Sequence, residues 1–201
     1  MFSYYGGKGR ITAWYPPPRY PVVIEPFAGA AWYSVRHQLG KEAILYDVNP
    51  DVASVWDWLI TRATRDDILS APTPVPTQRM VRFTDQGRDK HYRFWGNQGT
   101  EYPRNVAGTF HGFRTLAWRE RHWAQIQGVK TWIFRHSPYW QAPDVEATWF
   151  IDPPYFQQSR YKYCDPLDYV SLADWCRSRR GQVIVCESQG ATWLPFKLLQ
   201  P

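Results

Sequence analysis

At 201 residues and 44% hydrophobic composition, the chain fits one domain with a sizeable core and room for an inserted lobe. No apolar run reaches the ~18 residues of a membrane span, and the polar start argues against a secretory signal. The three cysteines, Cys164, Cys176 and Cys186, are odd in number and form no C-x-x-C pair, which argues against a disulfide framework or a zinc site and fits a reducing cytoplasm with buried thiols.

An N-terminal arm carrying Tyr4-Tyr5-Gly6-Gly7-Lys8 leads to a proline-rich stretch at 16–21. A short apolar strand is expected at 22–24, followed by Glu25-Pro26-Phe27-Ala28-Gly29-Ala30-Ala31 and a helix over 32–39 ended by Gly40. Small residues between strand and helix let the backbone approach a ligand, and the helix N-terminus offers N–H donors. The loop has neither the G-x-x-x-x-G-K-[ST] nor the G-x-G-x-x-G pattern. It therefore suits a ligand with an amino-acid end and a nucleoside end better than a pyrophosphate.

A second strand at 43–46 ends at Asp47, 22 residues beyond Glu25, a spacing at which an acidic side chain can accept both hydroxyls of a ribose. The alternative is an ordinary strand-end cap. Asp51 is the expected cap of a helix reaching about residue 65. The proline-rich 71–76 reads as a linker into an insertion over 71–128. Between Arg79 and Arg121 nine basic residues face four acidic ones, so most of the net charge of +6 lies there. Arg88, Lys90, Arg93, Arg104, Arg114 and Arg119 alternate with aromatic residues, a mixture suited to phosphate contact and base stacking. The competing reading is a small lobe with its own aromatic core and solvated charges.

Strands at 131–134 and 148–151 follow, then a helix over 167–179 and a strand over 182–186. Strands alternating with helices predict an α/β fold, a doubly wound, mostly parallel sheet, formed by 1–70 and 129–201 around the insertion. The strand at 148–151 delivers Asp152-Pro153-Pro154-Tyr155 to the edge of the sheet where ligands bind. The prolines fix the backbone after the carboxylate, and Tyr155 adds a flat face. A carboxylate, a backbone acceptor and an aromatic face can hold an exocyclic amine on a ring, although Asp and Pro also serve as simple turn formers.

Together these segments resemble the Dam-type, S-adenosylmethionine-dependent DNA adenine-N6 methyltransferases. Tyr4-Tyr5-Gly6-Gly7-Lys8 resembles the family's aromatic-x-Gly-Gly-Lys segment, and Glu25 to Ala30 its first cofactor loop. Asp47-Val48-Asn49-Pro50 resembles its acidic Asp-x-Asn, and Asp152-Pro153-Pro154-Tyr155 its catalytic tetrapeptide, all in the family's order. The resemblance implies a class I methyltransferase-like sheet and a target-recognition role for the insertion. It implies S-adenosyl-L-methionine as cofactor, double-stranded DNA as partner and a bacterial or phage-infected cytoplasm as setting. Tyr4, Lys8, Glu25, Phe27, Ala28, Gly29, Asp47 and Asn49 would line the cofactor, with Tyr139 beside its adenine. Asp152 and the Pro153 carbonyl would take the hydrogens of the target amine, Tyr155 would stack on the base, and no metal is implied.

Two departures stand out: Ala31 replaces a frequent glycine, and only thirteen residues follow Ser188, with 196–199 the one segment able to form a further strand. The truncated end is compatible with a minimal enzyme, completion by homodimerisation, or a non-catalytic DNA- or cofactor-binding relative. Methylation of RNA is a further alternative.

Overall fold

In the computed structural model the described residues are 1–97, 99–108, 115–156 and 167–199. Five strands form one sheet: β1 (Val23–Glu25), β2 (Ala43–Asp47), β3 (Ile133–His136), β4 (Ala147–Ile151) and β5 (Gly181–Val185). All pairings are parallel, in the order β3-β2-β1-β4-β5. Ile24 lies opposite Ile44 on one side and Trp149 on the other. The chain runs outward from β1 through β2 to β3, then crosses back to β4 on the opposite side of β1. That reversal opens a crevice beyond the carboxyl ends of β1 and β4.

The described residues form six α-helices: α1 (Trp32–His37), α2 (Pro50–Thr61), α3 (Arg65–Leu69), α4 (Gln86–Gly96), α5 (Leu116–Gly128) and α6 (Tyr169–Ser178). Because strand side chains alternate between faces, Ile24, Trp149 and Ile151 pack with Leu172 and Cys176 of α6, whereas Val23, Phe150 and Ile184 pack with Tyr33 of α1. On the α1 side a larger cluster joins Leu45 of β2 to Val52, Val55, Trp56 and Leu59 of α2. Those four α2 positions follow helical spacing, so one stripe of the helix is apolar and buried. Every residue of β4 is buried, as expected for a strand covered by helices on both faces.

The α2 start differs from expectation. Asn49, not Asp51, is the cap, its side chain accepting from the Asp51 N–H, because Pro50 occupies the first helical position, where a missing N–H costs nothing. The helix stops at Thr61, and a Thr64–Asp67 capping box starts α3 separately. The segment 196–199 is irregular, so no described strand follows β5. Cys176 and Cys186 are buried free thiols; Cys164 lies outside the described residues. No helix among the described residues is long and apolar enough to cross a membrane.

Of segment 71–128, α4 packs along α2 and α5 against α3. Phe94 of α4 and Ile126 of α5 join the same cluster as Trp56 and Leu45, while Tyr92, Trp95, Met80 and Ala107 form a small core of their own.

Candidate functional site

The crevice holds an open cleft of about 740 Å³, mouth included. Its floor and walls come from the loop after β1 and the start of α1, the ends of β2 and β4, the N-terminal arm, and Glu101. Of the residues expected around a cofactor, Tyr4, Lys8, Glu25, Phe27, Ala28, Gly29, Asp47 and Asn49 all line it, and so do Asp152 and Pro154 of the tetrapeptide.

The loop after β1 is held from below. Asp47 Oδ2 accepts from the Gly29 N–H at 2.7 Å, and Oδ1 from the Asn49 N–H at 2.9 Å. The Gly29 carbonyl accepts from the Trp56 indole of α2 at 2.7 Å. Asn49 donates in turn to the Tyr4 hydroxyl at 3.0 Å, tying the arm to the loop. Gly29 is left-handed (φ +45°), and an added Cβ would stand 2.9 Å from the Tyr4 ring. Ala31, which caps α1, is also left-handed (φ 46°, ψ 46°), a conformation that costs a non-glycine residue about 1–2 kcal/mol.

Burial dominates the acidic groups. The Glu25 carboxyl, 2% exposed, is pushed up from the usual 4.5 to about 8 by burial, against the Ser34 N–H it accepts at 2.7 Å. Burial also raises Asp47, opposed by the N–H groups of Asn49 and Gly29.

At the β4 end, Lys8 Nζ donates to Asp152 Oδ2 at 2.7 Å and stands 4.8 Å from the Tyr155 ring centroid. Burial pushes the Asp152 carboxyl up and Lys8 opposes it. Burial works against the Lys8 ammonium, but the charges and hydrogen bonds of Asp152 and Tyr155 together more than offset it, and Lys8 stays protonated beyond its ordinary range. Asp152 Oδ1 is buried and has no hydrogen-bond partner among the described residues. A buried carboxylate oxygen without a donor is costly, so this atom is open to accept an N–H or O–H from water or from a ligand. Tyr155 packs beside Phe150 and Cys186, and the Pro154 carbonyl accepts from the Tyr169 hydroxyl at 2.6 Å.

Tyr139 sits one layer back from the cleft. It follows β3 in a short 3-10 turn and stacks on Phe27 with ring centroids 5.2 Å apart, supporting that wall from behind. Sequence reasoning missed Trp32, Tyr33, Phe150 and Glu101, all of which line the cleft. Trp32, the first residue of α1 after the small-residue loop, was detectable by position. Glu101 arrives because the Tyr5 N–H donates to the Thr100 carbonyl at 3.2 Å, a contact with no sequence signal.

Four of the six basic residues singled out in the insertion are engaged within the fold. Arg93 is buried and holds Asp89 at 2.6 Å and Asn105 at 2.6 Å. Arg119, also buried, donates to the carbonyls of Leu69 at 2.7 Å and Ala71 at 2.5 Å and to Thr73 at 3.1 Å. The linker's carbonyls need these donors, so neither guanidinium has a surface to offer a polyanion. Arg88 pairs with Asp67 at 2.9 Å, and Lys90 with Asp51 at 3.0 Å. Arg104 is exposed over the Tyr102 ring, 5.6 Å from its centroid, and Arg79 and Arg82 are exposed as well. Arg114 lies outside the described residues. Among the described residues no three His, Cys, Asp or Glu side chains are grouped to hold a metal ion. No protein-family model matches the chain, and no curated protein matches it; the functional reading rests on the cleft itself.

Proposed function

We propose that the chain is a DNA methyltransferase that moves a methyl group from S-adenosyl-L-methionine to the N6 amine of adenine. One observation carries this reading. Asp152 emerges from the interior strand β4 into the cleft with one oxygen held by Lys8 and the other without a donor among the described residues. An exocyclic amine brings two N–H groups and so supplies what that oxygen lacks.

The residues present fit the cofactor. The cleft lies at the sheet's carboxyl edge, where α/β folds bind ligands, and is lined by both apolar rings and polar groups. Asp47 uses one lone pair of each oxygen on a backbone N–H and keeps others for the hydroxyls of a ribose. Phe27 and Trp32 offer flat faces, and the Ala28–Gly29 backbone allows close approach. When bound, S-adenosylmethionine supplies an electrophilic methyl on a sulfonium centre.

Asp152 Oδ1 and the Pro153 carbonyl would accept the two amine hydrogens and draw the nitrogen from planar towards tetrahedral, turning its lone pair outward. The contribution is positioning and electrostatics in a site screened from water. A base in duplex DNA must leave the stack to reach this depth, and the Tyr155 ring would receive it.

The decisive assay follows labelled methyl from S-adenosylmethionine into unmethylated double-stranded DNA, with RNA as a parallel acceptor and Asp152→Ala as control. Label on adenine N6 of DNA, absent with Asp152→Ala, is the expected result. Label only on RNA would reassign the substrate, and transfer that survives Asp152→Ala would remove this carboxylate from the reaction.

A further inference from the structure

The N-terminal arm is built to deliver one ammonium group to one oxygen. The Gly7 N–H donates to the Tyr4 carbonyl at 3.1 Å, closing a turn. Gly7 and Gly9 lie flat on the Trp32 indole, where a Cβ at either position would approach the ring to 3.2 Å. Held this way, Lys8 Nζ donates to the Gly6 carbonyl at 2.9 Å and to Asp152 Oδ2 at 2.7 Å, with the Tyr155 ring on a third side. An ammonium has three N–H groups, so these neighbours occupy its directions. The side chains of the pair are only 10% and 18% exposed.

We propose that Lys8 is a positioning residue for Asp152. By binding Oδ2 it fixes the plane of the carboxylate, keeps the group ionised, and leaves Oδ1 as the acceptor that faces the substrate amine. The inference rests on Asp152 being that acceptor, and it assigns Lys8 to the carboxylate rather than to the cofactor.

The surroundings of Asp152 explain why a cation is needed. Glu187 and Cys186 face it from the end of β5, Glu25 from the end of β1, Tyr15 from the segment after the arm, and Tyr155 from its own strand end. Each of these is neutral or negative, and Lys8 is the cation among them. Burying a carboxylate costs several kcal/mol unless a counter-charge and hydrogen bonds compensate. Without Lys8 the favoured outcome is protonation, and a protonated Asp152 no longer presents a charged acceptor.

The test needs no turnover to begin. Carbon-13 NMR of protein labelled at aspartate carboxyls, with the Asp152 signal assigned by its loss in Asp152→Asn, follows the titration directly. In Lys8→Met the Asp152 carboxyl titrates at higher pH than in the wild type, and in Lys8→Arg, which keeps the charge, the move is smaller. An unmoved Asp152 signal in Lys8→Met overturns the proposal, whatever the activity. In methyl transfer, Lys8→Met shifts the acidic limb of the kcat profile upward, because the active form is the carboxylate. The deficit is largest on the acidic side, roughly tenfold for each pH unit by which the titration of this single group moves, and it closes as the pH rises. A loss that does not vary with pH and accompanies weaker cofactor binding also overturns it, and makes Lys8 a cofactor contact. A wild type that transfers no methyl refutes the methyltransferase reading, while the NMR titration still decides the role of Lys8.

Discussion

At the cleft end of the sheet, charged side chains are few and line a cavity; in the 71–128 segment they are many, and Arg88, Lys90, Arg93 and Arg119 are each tied to partners within the fold. Asp152 keeps a buried oxygen without a donor among the described residues. Arg93 and Arg119, by contrast, direct their guanidiniums at Asp89, Asn105 and the linker carbonyls. A charged group that keeps an unused oxygen facing a cleft is a candidate for meeting a ligand. A charge with several partners is part of the architecture. Composition cannot separate the two, because it counts arginines without showing where they point.

The contrast is open to direct attack by mutation. The largest effect is expected at the cleft: Asp152→Ala should cut methyl transfer by roughly 10²–10³-fold with little change in cofactor Kd, measured by calorimetry. Next comes Glu25, whose folded-state value of about 8 lies above the usual 4.5. The folded state then holds a proton that the unfolded state has lost. Its contribution to stability is complete below about 4.5 and falls by up to about 1.4 kcal/mol per pH unit as the pH rises to about 8. Glu25→Gln, with no proton to lose, should flatten that part of the stability–pH curve in denaturant titrations, and an unchanged slope would show that Glu25 is ionised in the fold.

In the insertion the signs reverse. Arg93→Ala removes a buried guanidinium and leaves the partly buried Asp89 without its counter-charge, and should cost about 3 kcal/mol of unfolding free energy. Arg104→Ala should leave stability unchanged while reducing the salt dependence of DNA binding by about one unit of log–log slope. Equal destabilisation by both substitutions would erase the distinction between the two kinds of arginine. The smallest effect is at Ala31. Relief of its left-handed strain, less the entropy lost by glycine, should make Ala31→Gly more stable by about 0.5 kcal/mol in thermal melts.

Legibility in the sequence followed the range of the interactions. The strand ends carrying Glu25, Asp47 and Asp152 could be read because an apolar run and its first polar residue are adjacent. The α2 cap was misplaced by two residues because Asn49-Pro50 gives the stronger local signal than Asp51, through a side-chain acceptor followed by a residue that needs no donor. The pairing of Lys8 with Asp152 spans 144 residues and leaves no trace in either local pattern. The same holds for Glu101, carried to the cleft by a backbone contact with the arm. The helices α4 and α5 were obscured by a high density of charge, which reads as solvated surface until the internal partners are seen.

The hydrogen bond from the Trp56 indole to the Gly29 carbonyl couples ligand affinity to the stability of α2. The loop after β1 is ordered by the core of the protein, so the entropy of fixing it is lost when the chain folds and not again when a ligand arrives. Substitutions that loosen α2 far from the cleft should therefore weaken ligand binding before they unfold the protein, and a bound ligand should in turn protect the amides of α2 from exchange.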